Sequence, residues 1–264
     1  MTAVTTPAPA RTLGVLGGMG PAATAEFLRL LAADAPAVED QQHPRVVMLS
    51  DPGIPDRSTA ILTGDGEAGR RIRAGLWTLA DWGADLLAVP CNTAHVFLAA
   101  FTAASPVPVV DIVDATLDAA VRLSPGGGWL TATTGTLASG LYQERAAARG
   151  YPLHLPDGET QRLVHTAAVQ VKARRPEAAA HDLRTAVHRL WRQRPLPVLA
   201  ACTELPLAYQ QAALPPELMV SSLAALSRAC VAELYRPGAA PAGRARLSGT
   251  ARRAGRPGPG TARG

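Results

Sequence analysis

The chain has 264 residues, enough for one large α/β domain or two smaller ones sharing a cleft. Apolar residues make up 47% of it but aromatics only 4%, so its core must be built from Ala, Leu and Val. The net charge of +5 is concentrated at one end: from Arg236 onward there are seven arginines and no acid, leaving 19 basic against 21 acidic residues elsewhere. The body is therefore slightly acidic, which argues against nucleic acid as its partner.

Taken in order, Thr12 to Leu16 reads as an apolar strand ending in the turn Gly17-Gly18-Met19-Gly20-Pro21, with a helix from Ala22 to Ala33. Arg45 to Ser50 is a second strand, followed by the loop DPGIPDRS and a helix from Gly66 to Trp82. Leu86 to Val89 is a buried strand, then Pro90-Cys91-Asn92-Thr93 and an apolar helix from Ala94 to Ala103. Val107 to Val110 predicts a strand, Ile112 to Leu123 a helix, Trp129 to Thr133 a strand and Ser139 to Arg149 a helix. Glu159 to Lys172 and Pro176 to Gln193 predict helices, Pro197 to Ala201 and Leu218 to Val220 strands, and Leu223 to Tyr235 a last helix. Strands alternating with helices imply an α/β fold with parallel sheets, whose sites lie beyond the carboxyl ends of the strands. The Pro-, Gly-, Ala- and Arg-rich tail has little to bury and is expected to be disordered.

No run of about 18 apolar residues is present, and the N-terminus lacks a charged region followed by an apolar stretch, so no membrane is expected. Three scattered cysteines make no disulfide framework and no zinc pair; free thiols fit a reducing, cytoplasmic compartment.

Two segments carry chemistry. DLLAVPCNTAH and PVLAACTELPLA each run strand, small residue, cysteine, a threonine within two residues, then an apolar stretch, and their cysteines lie 111 residues apart. This predicts two related halves, each presenting a thiol, Cys91 and Cys202, at a strand end and before a helix, where backbone N–H groups favour a thiolate. Inverting an amino-acid α-carbon needs a base on one face and an acid on the other, and two matched thiols meet that need without a cofactor. Cys230, at Leu226-Cys230-Leu234 spacing, reads as helix core. Of 26 basic side chains only Lys172 is lysine, which marks a position wanting an ammonium. The glycine turn at 17–20 lacks the spacing of a nucleotide loop and instead lets backbone approach a ligand, with Met19 near the cleft. Glu204 either tunes the second thiol or caps the following turn; His95 either assists Cys91 or packs its helix; Asp51 and Asp56 order the loop around Arg57.

GVLGGMGPAAT, IPDRSTAIL, PCNTAH, TATTGTLASGLYQ and ACTELPLA follow one another as in the aspartate/glutamate racemase family, and Thr12 to Ala208 most resembles its aspartate racemase branch. The resemblance implies a racemase independent of pyridoxal phosphate, with two Rossmann-like parallel-sheet domains in pseudo-symmetric arrangement and the site between them; the cysteine spacing gives no expectation of a metal. The corresponding division is a flexible 1–11, a first domain of 12–112 with 209–235, a second of 113–208, and the tail 236–264. It further implies Cys91 and Cys202 as acid/base thiols, Asn92 and Thr93 at the α-carboxylate, and Ala94 among the substrate-binding residues. Thr133 and Thr134 form a hydroxyl and N–H cradle, Thr203 mirrors Thr93, and Arg57 and Lys172 are the cations for an acidic side chain. The expected reaction is racemization of an acidic amino acid, aspartate foremost, by a chain of a family that often forms homodimers. The alternatives are a related isomerase or decarboxylase of a small carboxylic acid, or an inactive relative that binds an amino acid. Two departures stand out: Val220-Ser221-Ser222 replaces an acidic residue common in the family, and Thr-Glu-Leu follows Cys202 where glutamate racemases of cell-wall synthesis have Thr-His-Tyr.

Overall fold

The strands are short apolar runs because parallel sheets are covered by helices on both faces. The computed structural model describes residues 8–238; the expectations for the first seven residues and for most of the basic tail lie outside the described residues. Strands β1 (Leu13–Gly17), β2 (Val46–Ser50), β3 (Leu86–Ala88) and β4 (Val109–Val110) form one parallel sheet in the order β2-β1-β3-β4. Strands β5 (Gly128–Ala132), β6 (Leu153–His154), β7 (Val198–Ala201) and β8 (Met219–Ser221) form a second in the order β6-β5-β7-β8. The same order occurs twice, and each cysteine follows the corresponding strand of its sheet, β3 or β7.

Helices α1 (Pro21–Asp34), α2 (Arg57–Thr63), α3 (Glu67–Asp81), α4 (Ala99–Thr102) and α5 (Ile112–Leu123) belong with the first sheet's stretch of chain. Helices α6 (Thr134–Ala138), α7 (Leu141–Ala148), α8 (Gly158–Lys172), α9 (Pro176–Gln193), α10 (Leu205–Gln211) and α11 (Ser222–Leu234) follow. Their starts have local causes. Proline opens α1 and α9, and the carboxylates of Asp56, Asp111 and Asp157 accept backbone N–H groups at the starts of α2, α5 and α8. Each such cap is worth about 1 kcal/mol.

Strand parity sorts the core. Leu13, Val15, Leu86 and Ala88 of the first sheet share one buried cluster with Leu130, Ala132, Leu199 and Ala201 of the second, closed by residues of α1, α5 and α11, including Cys230. The opposite parity in the first half, Leu87, Val89 and Cys91, packs with Ile72, Leu76 and Leu79 of α3. In the second half, Val198, Ala200 and Cys202 pack with Val164 of α8 and Leu183 and Val187 of α9. Each thiol thus continues the outward-facing row of its strand.

Several local features differ from the sequence reading. Helices α2, α6 and α10 and strand β6 are short elements that periodicity does not announce. The helix expected over 94–103 is a 3-10 turn, Thr93–Phe97, followed by the four residues of α4. The His95 ring pins that turn, contacting the Cys91 carbonyl through Nδ1 at 3.0 Å and accepting the Ile112 N–H on Nε2 at 3.3 Å. Strand β8 pairs with β7 and so lies in the second sheet, although the sequence places 209–235 with the first half; α11 then packs on residues of both halves. Arg11, assigned to the leading segment, is buried, bonds the Asp85 carbonyl at 3.1 Å and pairs with Glu233 at 3.5 Å. Among the described residues no helix is long and apolar enough to cross a membrane.

The two halves meet closely where α6 approaches α2. A Cβ on Gly135 would stand 2.5 Å from the Ser58 Cα, whereas one on Gly158, at the start of α8, would meet nothing within 4 Å. Gly135→Ala should therefore cost about 1–3 kcal/mol through overpacking. Gly158→Ala should be neutral or stabilising by up to about 1 kcal/mol. Urea denaturation of both variants checks the contrast, and equal effects would contradict the close approach.

Candidate active site

The cavity of interest lies beyond the carboxyl ends of the central strands of both sheets, at their switch points. It is narrow, with about 10 Å³ of free volume, room for about one water molecule. Met19 reaches it from the turn after β1, Asp56, Arg57 and Ser58 from the start of α2, and Cys91, Asn92 and Thr93 from the segment after β3. The second half supplies Thr133 after β5, Lys172 at the end of α8, and Cys202, Thr203 and Glu204 after β7. Both thiols therefore line one space, each from the matching strand end of its half.

The glycine turn is shaped by crowding. Gly18 has φ +92°, and a Cβ there would stand 2.5 Å from Asp51 backbone, while a Cβ on Gly20 would stand 3.0 Å from the Glu204 Oε1. The Gly18 N–H bonds the Thr24 hydroxyl at 3.0 Å. These contacts bring Met19, only 2% exposed, into the cavity wall.

Arg57 is 8% exposed. Its guanidinium donates to the carbonyls of Ile54 (3.3 Å), Pro55 (3.2 Å) and Met19 (3.2 Å), which fixes its plane. Three of five N–H donors are thus used, and the buried Nε has no protein partner. A buried donor in that state is free to take a further acceptor. Asp56, which caps α2 through the Thr59 N–H, is opposed by burial, yet that N–H and the charges of Lys172 and Arg57 hold its carboxyl below the usual range. Lys172 is exposed at the cavity edge. Burial of its surroundings works against its charge, but Glu204 and the Cys202 position outweigh this and raise its affinity for a proton.

The two thiols are not equivalent. Cys202 S–H donates to the Glu204 Oε2 at 3.1 Å, and the Thr203 hydroxyl donates to the same oxygen at 3.2 Å. Burial, with the adjacent Glu204 carboxylate, pushes the Cys202 thiol well up, and Lys172 only partly opposes this. Glu204 stands at the N-cap position of α10 without bonding its backbone, so its side chain serves the thiol and not the helix. The 3-10 turn after Cys91 is too short for a sizeable helix dipole, so the expected support for a thiolate from a following helix is small there. His95 is buried and uses both ring nitrogens on backbone; burial holds it neutral. It packs the turn and does not touch the thiol in any hydrogen bond.

Hydroxyls join the halves. Thr93 Oγ1 lies 3.1 Å from Thr133 Oγ1 and 2.8 Å from Thr136 Oγ1, and the latter two are 3.0 Å apart. Asn92 is held from both ends: the Tyr142 hydroxyl donates to Oδ1 at 2.5 Å and Nδ2 donates to the Ser222 hydroxyl at 2.9 Å. Only one side-chain N–H of Asn92 remains for a ligand, so its role is more structural than the sequence suggests. Ala94 is buried in the first-half cluster and does not line the cavity. Thr134 does not line it either, and its N–H is taken by the His165 Nδ1 at 3.2 Å. Ser58, Asp56, Thr136 and Tyr142 are site residues that the motifs did not single out for it. Ser222, noted only as a departure, turns out to hold Asn92. Among the described residues no group of three or more His, Cys, Asp or Glu side chains is placed to hold a metal.

A sequence profile described as Asp/Glu/Hydantoin racemase matches residues 16–230. The chain belongs to the Asp/Glu/Hydantoin racemase family. Within it, the aspartate racemase of Picrophilus torridus superimposes with a TM-score of 0.74 at 28% identity, covering 85% of this chain and 94% of that one. An aspartate racemase homologue from Pyrococcus horikoshii OT3 shares the fold with a TM-score of 0.67 at 20% identity, over 85% of this chain and 99% of that one. The broad specificity amino-acid racemase RacX of Bacillus subtilis (strain 168) is 32% identical over 109 residues, 40% of this chain. The match spans about half of that curated relative, 47% of its length.

For this racemase-family site, removing the Glu204 charge should release Cys202. In a Cys91→Ser background, Glu204→Gln is expected to shift the pH midpoint of Cys202 alkylation downward, read by peptide mass spectrometry. An unchanged or higher midpoint would contradict the pairing.

Proposed function

We propose that the protein racemizes an acidic amino acid, aspartate foremost, without a cofactor, using Cys91 and Cys202 as opposed acid and base. The observation that carries this reading is that both thiols, from matching strand ends of the two halves, line one cavity. One thiolate removes the α-proton and the opposite S–H returns one, the two roles exchanging with the hand of the substrate. Cys202 rests as a thiol donating to Glu204, so it is prepared to act as the acid, with Cys91 as the base. In the reverse direction Cys202 must lose its proton, and Lys172 is the charge that favours this.

Substrate binding follows from the donors left over. The unpartnered Nε–H and one further N–H of Arg57 form a natural receiver for the distal carboxylate, assisted by Lys172. The remaining amide N–H of Asn92 supplies a donor for the α-carboxylate, beside Thr93, Thr133 and Thr203, whose hydroxyls are engaged with Thr136 and Glu204 and shape that wall of the cavity. Free thiols as the reacting groups fit a reducing, cytoplasmic setting.

Cys91→Ser and Cys202→Ser should each lower kcat at least about 1,000-fold, the scale of general acid–base catalysis. Chiral chromatography of aspartate reads the outcome, and near-native turnover by both would refute the two-thiol mechanism. Arg57→Ala should raise the KM for aspartate by about 10- to 100-fold, the loss of a charge-assisted pair, with a much smaller change for alanine. Equal changes for both substrates would remove Arg57 from side-chain recognition.

A further inference from the structure

We propose that His165, with Gln161, is a positioning residue that clamps the backbone around Thr133 and so sets the second half's hydroxyl against Thr93; the inference rests on reading the cavity as a racemase site. Helix α8 places residues 161 and 165 one turn apart on a single face. Gln161 Nε2 donates to the Ala132 carbonyl at 2.9 Å, and the Thr134 N–H donates to the His165 Nδ1 at 3.2 Å. The two side chains therefore hold the peptide groups on either side of Thr133. Thr133 lines the cavity, and its hydroxyl, together with that of Thr136, meets Thr93 across the seam between the halves. Two turns of α8 beyond His165 comes Lys172, at the edge of the same cavity.

The clamp needs a neutral imidazole. Accepting on Nδ1 puts the ring proton on Nε2, and a second proton would occupy Nδ1 and break the bond to Thr134. The charged groups acting on the ring are Asp56 of α2, which favours the added proton, and Lys172 of α8, which opposes it. Burial opposes it most and holds the ring's affinity for a proton below the ordinary histidine value. The bond is thus intact at neutral pH and is lost as pH falls through the lowered value, on the acid side of 6.5.

His165→Ala should raise the KM for aspartate about tenfold, with kcat changed about threefold or less. The parent protein's KM should rise on the acid side of 6.5, and His165→Asn, whose Oδ1 takes the place of Nδ1 and does not titrate, should restore KM to within about twofold and remove that rise. The Thr134 amide resonance gives a readout apart from turnover: it should move with His165 titration in the parent protein and stay fixed in His165→Asn. A Thr134 amide insensitive to His165→Ala, or an unchanged KM in that variant of a racemizing enzyme, would overturn the clamp. A parent protein that racemizes no amino acid while its Thr134 amide follows His165 would instead overturn the reading of the cavity, and the catalytic part of this inference with it.

Discussion

The Asn92 amide, gripped by the Tyr142 hydroxyl on one side and the Ser222 hydroxyl on the other, is the interaction on which the site depends. Asn92 directly follows Cys91 in the first half, Tyr142 stands on α7, and Ser222 opens α11. One buried amide therefore locates a thiol relative to elements from the rest of the chain. Its neighbour Thr93 continues the seam by meeting Thr133 and Thr136. Buried polar groups without partners are costly, so an amide held at both its oxygen and its nitrogen, with a set of three mutually bonded hydroxyls, makes this arrangement specific. Reactions between positioned groups lose about a hundredfold from a displacement of about 1 Å, which gives that specificity its functional weight.

Strand order makes the halves alike, while their electrostatics differ. Cys91 and Cys202 extend the same outward-facing rows of β3 and β7. Yet Cys202 has a carboxylate within hydrogen-bond distance, and Cys91 is followed by a turn held by neutral His95. Lys172 feels Glu204 and both thiol positions, so one ammonium couples the two sides of the cavity. A symmetric reaction on an asymmetric scaffold then needs its charges balanced and not merely its geometry.

What the sequence made legible follows from the range of the forces involved. Apolar runs and local caps announce strands and helices, and α5 and α9 span Ile112–Leu123 and Pro176–Gln193 as their periodicity predicts. Repetition of a strand–cysteine segment announced two related sheets. Short elements such as α2, α6 and α10 escaped because few turns leave no period; the Asp56-to-Thr59 cap was the available signal for α2. The commitments of Asn92 and Thr134 were hidden for another reason. Their partners lie 50 and 130 residues away for Asn92 and 31 for Thr134, and no local pattern encodes such pairings. Glu204 illustrates the remaining ambiguity, since a residue at an N-cap position adjoining a cysteine serves either and only geometry decides.

The central claim is that two different groups handle the α-proton from opposite faces. Early-time conversion of L-aspartate in deuterium oxide, with the enantiomers separated and their α-positions read by mass spectrometry, tests it most directly. The account predicts D-aspartate carrying solvent deuterium while the unreacted L-aspartate keeps its protium. Deuterium appearing equally in both pools from the start, or no exchange with any amino acid, would contradict it.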